Sequence, residues 1–169
     1  LMDGRHVPRA KARSPDDWAR LYEVLFHDVN GRLAIQPGIA IHIMRRVLRG
    51  LEVLHELGFV HCDIKPANIM IDRLGTVKVI DYGRGAFTNE QQAFLLGTPT
   101  YMAPEQHRRE PSNPASDFYA LGLVGLEMLR GEPLMRGVGA SENDLLAYKM
   151  KLCDILPDLL PDYVRRNEA

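Results

Sequence analysis

Asp63, Lys65 and Asn68 fall within one short segment, His61-Cys62-Asp63-Ile64-Lys65-Pro66-Ala67-Asn68, and a further carboxylate follows in Asp81-Tyr82-Gly83. An anionic oxygen from Asp81 and a neutral amide oxygen from Asn68 suit a hard divalent cation that takes its other ligands from phosphate. A carboxylate such as Asp63 can orient a hydroxyl and accept its proton. Lys65, two residues on, can offset charge on a group in transfer. Together these residue types suit phosphoryl transfer, in which the protein positions groups and stabilises charge more than it makes bonds. Read singly, Asp63 and Asn68 are equally well turn residues after a helix. The arrival of Asp81 after a short apolar run favours a site.

Two later segments keep the same order along the chain: Gly97-Thr98-Pro99-Thr100-Tyr101-Met102-Ala103-Pro104-Glu105 and Asp117-Phe118-Tyr119-Ala120-Leu121-Gly122. The four segments together resemble the C-terminal lobe of the serine/threonine protein kinase catalytic domain. The resemblance implies a mainly α fold with short β-hairpins, and a transfer of the ATP γ-phosphate to Ser or Thr hydroxyls of a protein substrate. It implies Asp63, Lys65 and Thr98 as catalytic residues, with Thr98 hydrogen-bonded to the other two. Asn68 and Asp81 would hold Mg²⁺, and Met70, Lys65, Asn68 and Asp81 would contact ATP, Met70 as the floor under adenine. A methionine there is otherwise ordinary core. His61 reads as support for the loop, packed by Tyr82, which stands where the family has Phe. Asp117 would accept backbone N–H bonds from the Asp63 segment, although a plain helix N-cap predicts the same residue. Glu105 pairs in the family with a late arginine, which has no clear counterpart before Ala169.

The chain also departs from the family. Cys62 replaces the arginine that reads a phosphate on the activation segment, so ordering by phosphorylation is not expected. Arg84 is a basic side chain able to substitute for it. A glycine-rich phosphate loop is missing: Gly83-x-Gly85 and Gly137-x-Gly139 lack the third glycine and lie on the wrong side of Asp63. The lysine-bearing Val-Ala-x-Lys strand is missing too, and Leu1-Met2-Asp3-Gly4 resembles the stretch just after the hinge between the lobes. Residues 1–169 therefore read as a partial catalytic domain, from the post-hinge segment to the helices after the activation segment. The N-terminal lobe is expected elsewhere in the parent chain, and this piece alone is expected to be weakly active or inactive. The chain opens on Leu1 rather than Met, which reads as an excised piece, with initiation at Met2 the alternative. Two other functions compete: a small-molecule kinase of the aminoglycoside type, and a catalytically silent pseudokinase acting as a docking module. Lys65-Pro66 and the Gly97–Glu105 segment favour a protein substrate over the first. The presence of Asp63, Asn68 and Asp81 counts against the second.

The elements that must position these groups are visible in the patterning. Ser14-Pro15-Asp16-Asp17 starts a helix running to about His27, with a hydroxyl cap, a proline in the first turn and acids at its positive end. Asn30-Gly31 makes the turn beyond it. Ile39, Ile43, Val47, Leu51 and Leu54 form one face of a long helix from about Gly38 to Leu57, ended by Gly58, with Arg45, Arg46, Arg49 and Glu52 outward. Ile69–Ile71 and Val77–Ile80 predict a hairpin joined through Asp72-Arg73-Leu74-Gly75. Residues 81–116 show no period, as expected of a long functional loop. Helices return over Ser116–Arg130, closed by Gly131, and from Ser141 to about Leu152, with Pro157 and Pro161 breaking the tail before a short helix near 160–167. Residues 1–13 are basic and irregular.

Composition sets the outer limits. The chain has 169 residues, 46% hydrophobic and 25% charged, enough for one ordinary globular core. A net charge of -1 gives no attraction to nucleic acid or an anionic membrane. Cys62 and Cys153 stand far apart without metal-ligand spacing, which favours reduced thiols and a cytoplasmic setting. The longest apolar run, Ala120 to Leu129, is too short to span a bilayer and contains Glu127.

Overall fold

A computed structural model describes residues 15–72, 74–90, 97–139 and 141–166. The basic stretch 1–13, the post-hinge likeness of Leu1–Gly4 and the Ser14 cap lie outside the described residues. Helix α1 (Pro15–Leu25) ends two residues before the expected His27. The chain there turns extended because Phe26–Val29 (β1) pairs antiparallel with Arg32–Ile35 (β2). Asn30 and Gly31 join them with φ of +54° and +78°, the two positive values a tight hairpin turn requires. The turn was legible in the sequence; the strands around it were not.

Helix α2 (Pro37–Glu56) follows, starting on a proline whose missing N–H costs nothing in a first turn. Ala40, Ile43, Val47 and Leu51 are buried along it, and Ile39 and Leu54 are packed beside them, as the spacing predicts. Phe59–Val60 (β3) then leads into the Asp63 segment. Ile69–Ile71 (β4) and Val77–Val79 (β5) form the expected hairpin, with Ile69 opposite Val79. Asp72 Oδ1 accepts N–H bonds from Leu74 at 2.8 Å and Thr76 at 2.9 Å, which shapes its turn. Ala86–Phe87 (β6) returns to pair with β3. The Asp63 and Asp81 loops are thus both held between the two arms of one strand pair.

Helix α3 (Pro104–His107) is a single turn, and α4 (Pro114–Arg130) packs against α2, β2 and β3. α4 starts two residues before the expected Ser116. Asn113 caps it, its Oδ1 accepting from Ala115 N at 2.9 Å, while Ser116 Oγ accepts from Asn113 N at 3.2 Å. Asp117 is therefore not the N-cap and is free for other work. Gly131 ends the helix at φ +69°, and a Cβ there would collide with the Leu33 carbonyl of β2. Helix α5 (Glu142–Met150) is capped by Ser141, whose Oγ accepts from Asp144 N at 3.1 Å. Helix α6 (Leu152–Leu159) passes straight through Pro157. One lost backbone bond is outweighed there by burying Leu152 and packing Ile155 and Leu159 on the second core. A short α7 (Asp162–Arg165) follows Pro161.

The main core joins Ile43, Val47 and Leu51 of α2 to Ala120 and Leu121 of α4, Val77 of β5, and Ile64. Ile64 is fully buried and stands between Asp63 and Lys65, so the core itself anchors the Asp63 loop. The molecule is mainly helical with three two-stranded antiparallel pairs among the described residues, the fold class expected.

Candidate active site

The site begins with a buried carboxylate on α4. Asp117 is 1% exposed, and its Oδ2 and Oδ1 accept the backbone N–H groups of His61 at 2.8 Å and Cys62 at 2.9 Å. His55 Nε2 of α2 lies 2.8 Å from the same Oδ2. These bonds pull the chain through a left-handed turn at Cys62, φ +64°, which turns Asp63 toward the next loop. His61 uses both ring nitrogens. Its Nδ1 accepts from Asp63 N at 3.3 Å, which leaves the proton on Nε2, 3.1 Å from the Ile80 carbonyl. Tyr82 packs edge-on at 5.1 Å, and its hydroxyl donates to Val79 O at 3.0 Å. His61 is thus a brace between the loops, as read from the sequence.

Asp63, Lys65 and Thr98 form a closed triangle. Lys65 Nζ donates to Asp63 Oδ2 and to Thr98 Oγ1, both at 2.8 Å, and Thr98 Oγ1 donates to Asp63 Oδ1 at 2.8 Å. Asn68 Nδ2 donates to the Asp63 carbonyl at 2.8 Å. That fixes the amide and leaves its oxygen as the end that can hold a cation. Asp81 reaches Asn68 through the backbone: Ile80 N donates to Asn68 O at 2.9 Å, extending the β4–β5 ladder by one rung. Asp81 is exposed and left-handed, at φ +63°. Met70 stands apart from this cluster, on β4 and 54% exposed.

Burial alone would raise the Asp63 pKa. Hydrogen bonds from Lys65 and Thr98, with the Lys65 and Arg84 charges, outweigh it and hold the carboxyl below its ordinary value of 3.8. A depressed folded value contributes stability that is present above 3.8 and lost as the pH falls through the lowered value. The gap in urea midpoint between the parent protein and Asp63→Asn is therefore expected to shrink as the pH is lowered through that window. A gap independent of pH would contradict the assignment.

Two contributors do more than the sequence reading gives them, in which Arg84 is a stand-in for the arginine that Cys62 replaces and Gly97 only the first residue of the Thr98 segment. Arg84 Nη1 donates to the Gly97 carbonyl at 2.8 Å and its Nε lies 3.8 Å from Asp63 Oδ2, so this side chain is already engaged at the site. Gly97 has φ +111°, and a Cβ there would stand 2.5 Å from the Cys62 carbonyl. Only glycine lets the Thr98 segment approach the Asp63 loop this closely. A glycine just ahead of Thr98 was the available signal; nothing local marked the Arg84 contacts. The Cys62 thiol is buried and its pKa is raised to about 11, by burial first and then by the charges of Asp117 and Asp63, so it is neutral. Glu105 takes a neutral partner, accepting from Ser116 Oγ at 2.7 Å, and among the described residues no arginine pairs with it.

Among the described residues no three His, Cys, Asp or Glu side chains could hold a metal by themselves. Asn68 and Asp81 offer an amide oxygen and a carboxylate at one end of a hairpin. That donor set fits a hard cation completing its shell with phosphate oxygens.

Comparison with known proteins agrees with this geometry. Residues 19–162 match the protein kinase domain family. The chain belongs to the protein kinase family. It is 35% identical over 136 residues to serine/threonine-protein kinase PknA of Mycobacterium tuberculosis, covering 78% of this chain and 31% of that protein. It is 39% identical over 107 residues to probable serine/threonine-protein kinase PknB of Corynebacterium glutamicum, 60% of this chain and 17% of that protein. A probable serine/threonine-protein kinase PknB of Bifidobacterium longum is 41% identical over 118 residues, 66% of this chain and 17% of that protein. The kinase chain thus spans about a third or less of these curated relatives. No helix among the described residues is long and apolar enough to cross a membrane.

Proposed function

We propose that residues 1–169 form the C-terminal lobe of a cytoplasmic serine/threonine protein kinase that uses ATP and Mg²⁺. The observation that carries this reading is the Asp63–Lys65–Thr98 triangle, in which a buried ionised carboxylate is held by a cation and by the segment that would carry a peptide. ATP with Mg²⁺ supplies the phosphoryl group and offsets its charge. Asp63 orients the substrate hydroxyl and takes its proton, and Lys65 faces the charge on the group in transfer. Asn68 and Asp81 would hold the cation by their oxygens. Met70 offers an apolar surface to the purine.

The N-terminal lobe would cover the β4–β5 hairpin, where Met70 and Ile71 of β4 are half exposed and Leu74 of the turn almost wholly so. The names of the relatives and the Thr98 link favour a protein substrate over a small molecule. Because Cys62 carries no charge and Arg84 is engaged with Gly97, activity should not need a phosphate on the activation segment. The test uses the parent protein treated with phosphatase, then given Mg²⁺, γ-labelled ATP and a Ser/Thr-containing protein. Label on Ser or Thr, at a kcat within a few-fold of the untreated enzyme, is the expected result, with little transfer by the 169-residue piece. Parent protein that labels no Ser or Thr would refute the kinase reading, and a hundredfold loss on phosphatase treatment would refute phosphate independence.

A further inference from the structure

Lys149 lies outside the Asp63 cluster and is the most deeply buried lysine or arginine among the described residues. It is 3% exposed, on the last turn of α5, where the negative end of the helix favours a positive charge. Burial of a lysine demands partners, and Nζ has three: Pro99 O at 2.5 Å, Met102 O at 2.7 Å and His107 Nε2 at 2.8 Å. Two of these are carbonyls, which can only accept, so Nζ donates to both. The pair of carbonyls brackets Thr100 and Tyr101, directly after the threonine bonded to Asp63.

That short turn is fixed from every side. Tyr101 N and Met102 N donate to Thr98 O at 2.8 Å and 3.1 Å. Tyr101 OH donates to Glu127 Oε2 of α4 at 2.8 Å. Thr98 ties its front edge to Asp63 and Lys65, and Lys149 closes the back.

We propose that Lys149 is a positioning residue for the protein substrate, holding the Pro99–Met102 turn in the shape against which the substrate chain lies. The inference rests on the kinase reading above and adds to it the determinant of substrate affinity. Lys149 touches neither ATP nor the reacting atoms; it acts through the two carbonyls. His107 makes the grip sensitive to acid. At 2.8 Å only one proton fits between Nζ and Nε2, and burial, then the Lys149 charge, holds His107 below its ordinary value of 6.5. Burial likewise pushes Lys149 down, to about 7. The charges facing His107 are Lys149 and, from the first turn of α5, Glu142. On α3 and beyond it, Glu105 and Arg108 are engaged with Ser116 and Glu110. Protonating His107 sets two donors against each other and loosens the grip.

The experiment compares the parent protein with Lys149→Met and His107→Gln. Lys149→Met keeps the bulk and removes the donors. It should raise KM for the protein substrate on the order of tenfold, with kcat and KM for ATP within about threefold. Amide hydrogen exchange should quicken over residues 98–106 and not over α2. His107→Gln still offers an acceptor to Nζ but takes up no proton, so the acid fall of kcat/KM for the protein substrate should flatten. Equal changes in both KM values, or a change in kcat alone, would overturn the proposal. If Lys149→Met does not fold, the His107→Gln profile decides, and an unaltered acid limb counts against it. If the parent transfers no phosphate to protein, the kinase reading fails, while unchanged exchange over 98–106 in Lys149→Met still refutes the grip by itself.

Discussion

Asp63→Asn in the parent protein is expected to remove most phosphoryl transfer while leaving the fold intact. The substitution keeps the size of the side chain and its place between Lys65 and Thr98. It removes the negative charge that the Lys65 ammonium and the nearby Arg84 guanidinium hold ionised. An amide oxygen cannot take the hydroxyl proton, and the Lys65 charge is left without its counterion. A loss on the order of 3 kcal/mol or more in transition-state stabilisation, at least about a hundredfold in rate, is reasonable for a central electrostatic group. Asp81→Asn should show a loss of similar order by weakening the cation site. Transfer rates and a circular dichroism melt on each purified variant check this. A well-folded Asp63→Asn protein with nearly parental rates would move the assignment to a docking pseudokinase.

The second large effect is on stability. Asp117→Ala should be the most destabilising of the substitutions considered, because the carboxylate is 1% exposed and satisfies three donors at once. Truncation strands the buried N–H groups of His61 and Cys62, and leaves His55 without its Asp117 partner. Breaking a buried charged network in this way costs about 3–5 kcal/mol. For a protein of this size that corresponds to a melting temperature lower by roughly 10 °C. Activity should fall as well, since the Cys62 turn that aims Asp63 loses its tether. Asp117→Asn keeps one oxygen acceptor and should fall between the two. A melting shift below about 2 °C for Asp117→Ala would show that the loop is held by other contacts.

The two experiments probe different parts of one device. In the proposed reading Asp63 does the chemistry, and Asp117 holds the frame that presents it. Through Asp117 the central helix α4 fixes the loop from below, and through Ile64 the core fixes it from within. The Thr98 segment is then brought up from the other side, at a distance that only Gly97 permits. A rate lost without stability and a stability lost with rate would separate these roles.

Much of this was fixed by local order in the sequence. The apolar spacing of Ile43, Val47 and Leu51 dictated α2 and its buried face, because a 3.6-residue period has one solution. The β4–β5 hairpin and the Gly131 helix end followed from alternation and from a glycine able to adopt positive φ. The ordered segments around Asp63, Asp81, Thr98 and Asp117 mark the family by their residues alone. Other features were out of reach. Strands β3 and β6 hold two residues each, too few for a period, and each exists only because its partner some twenty-six residues away supplies the hydrogen bonds. Pro157 reads as a helix breaker, and only the packing of Leu152 and Leu159 on a core built by other elements overrides it. Asn113 rather than Asp117 became the cap, because the Asp117 carboxylate was claimed by N–H groups brought close by folding. Nothing in the sequence marks Lys149 among the residues of the helix expected from Ser141 to about Leu152. Its burial was decided by two carbonyls and an imidazole that converge only when α3, α5 and the Thr98 turn are packed together.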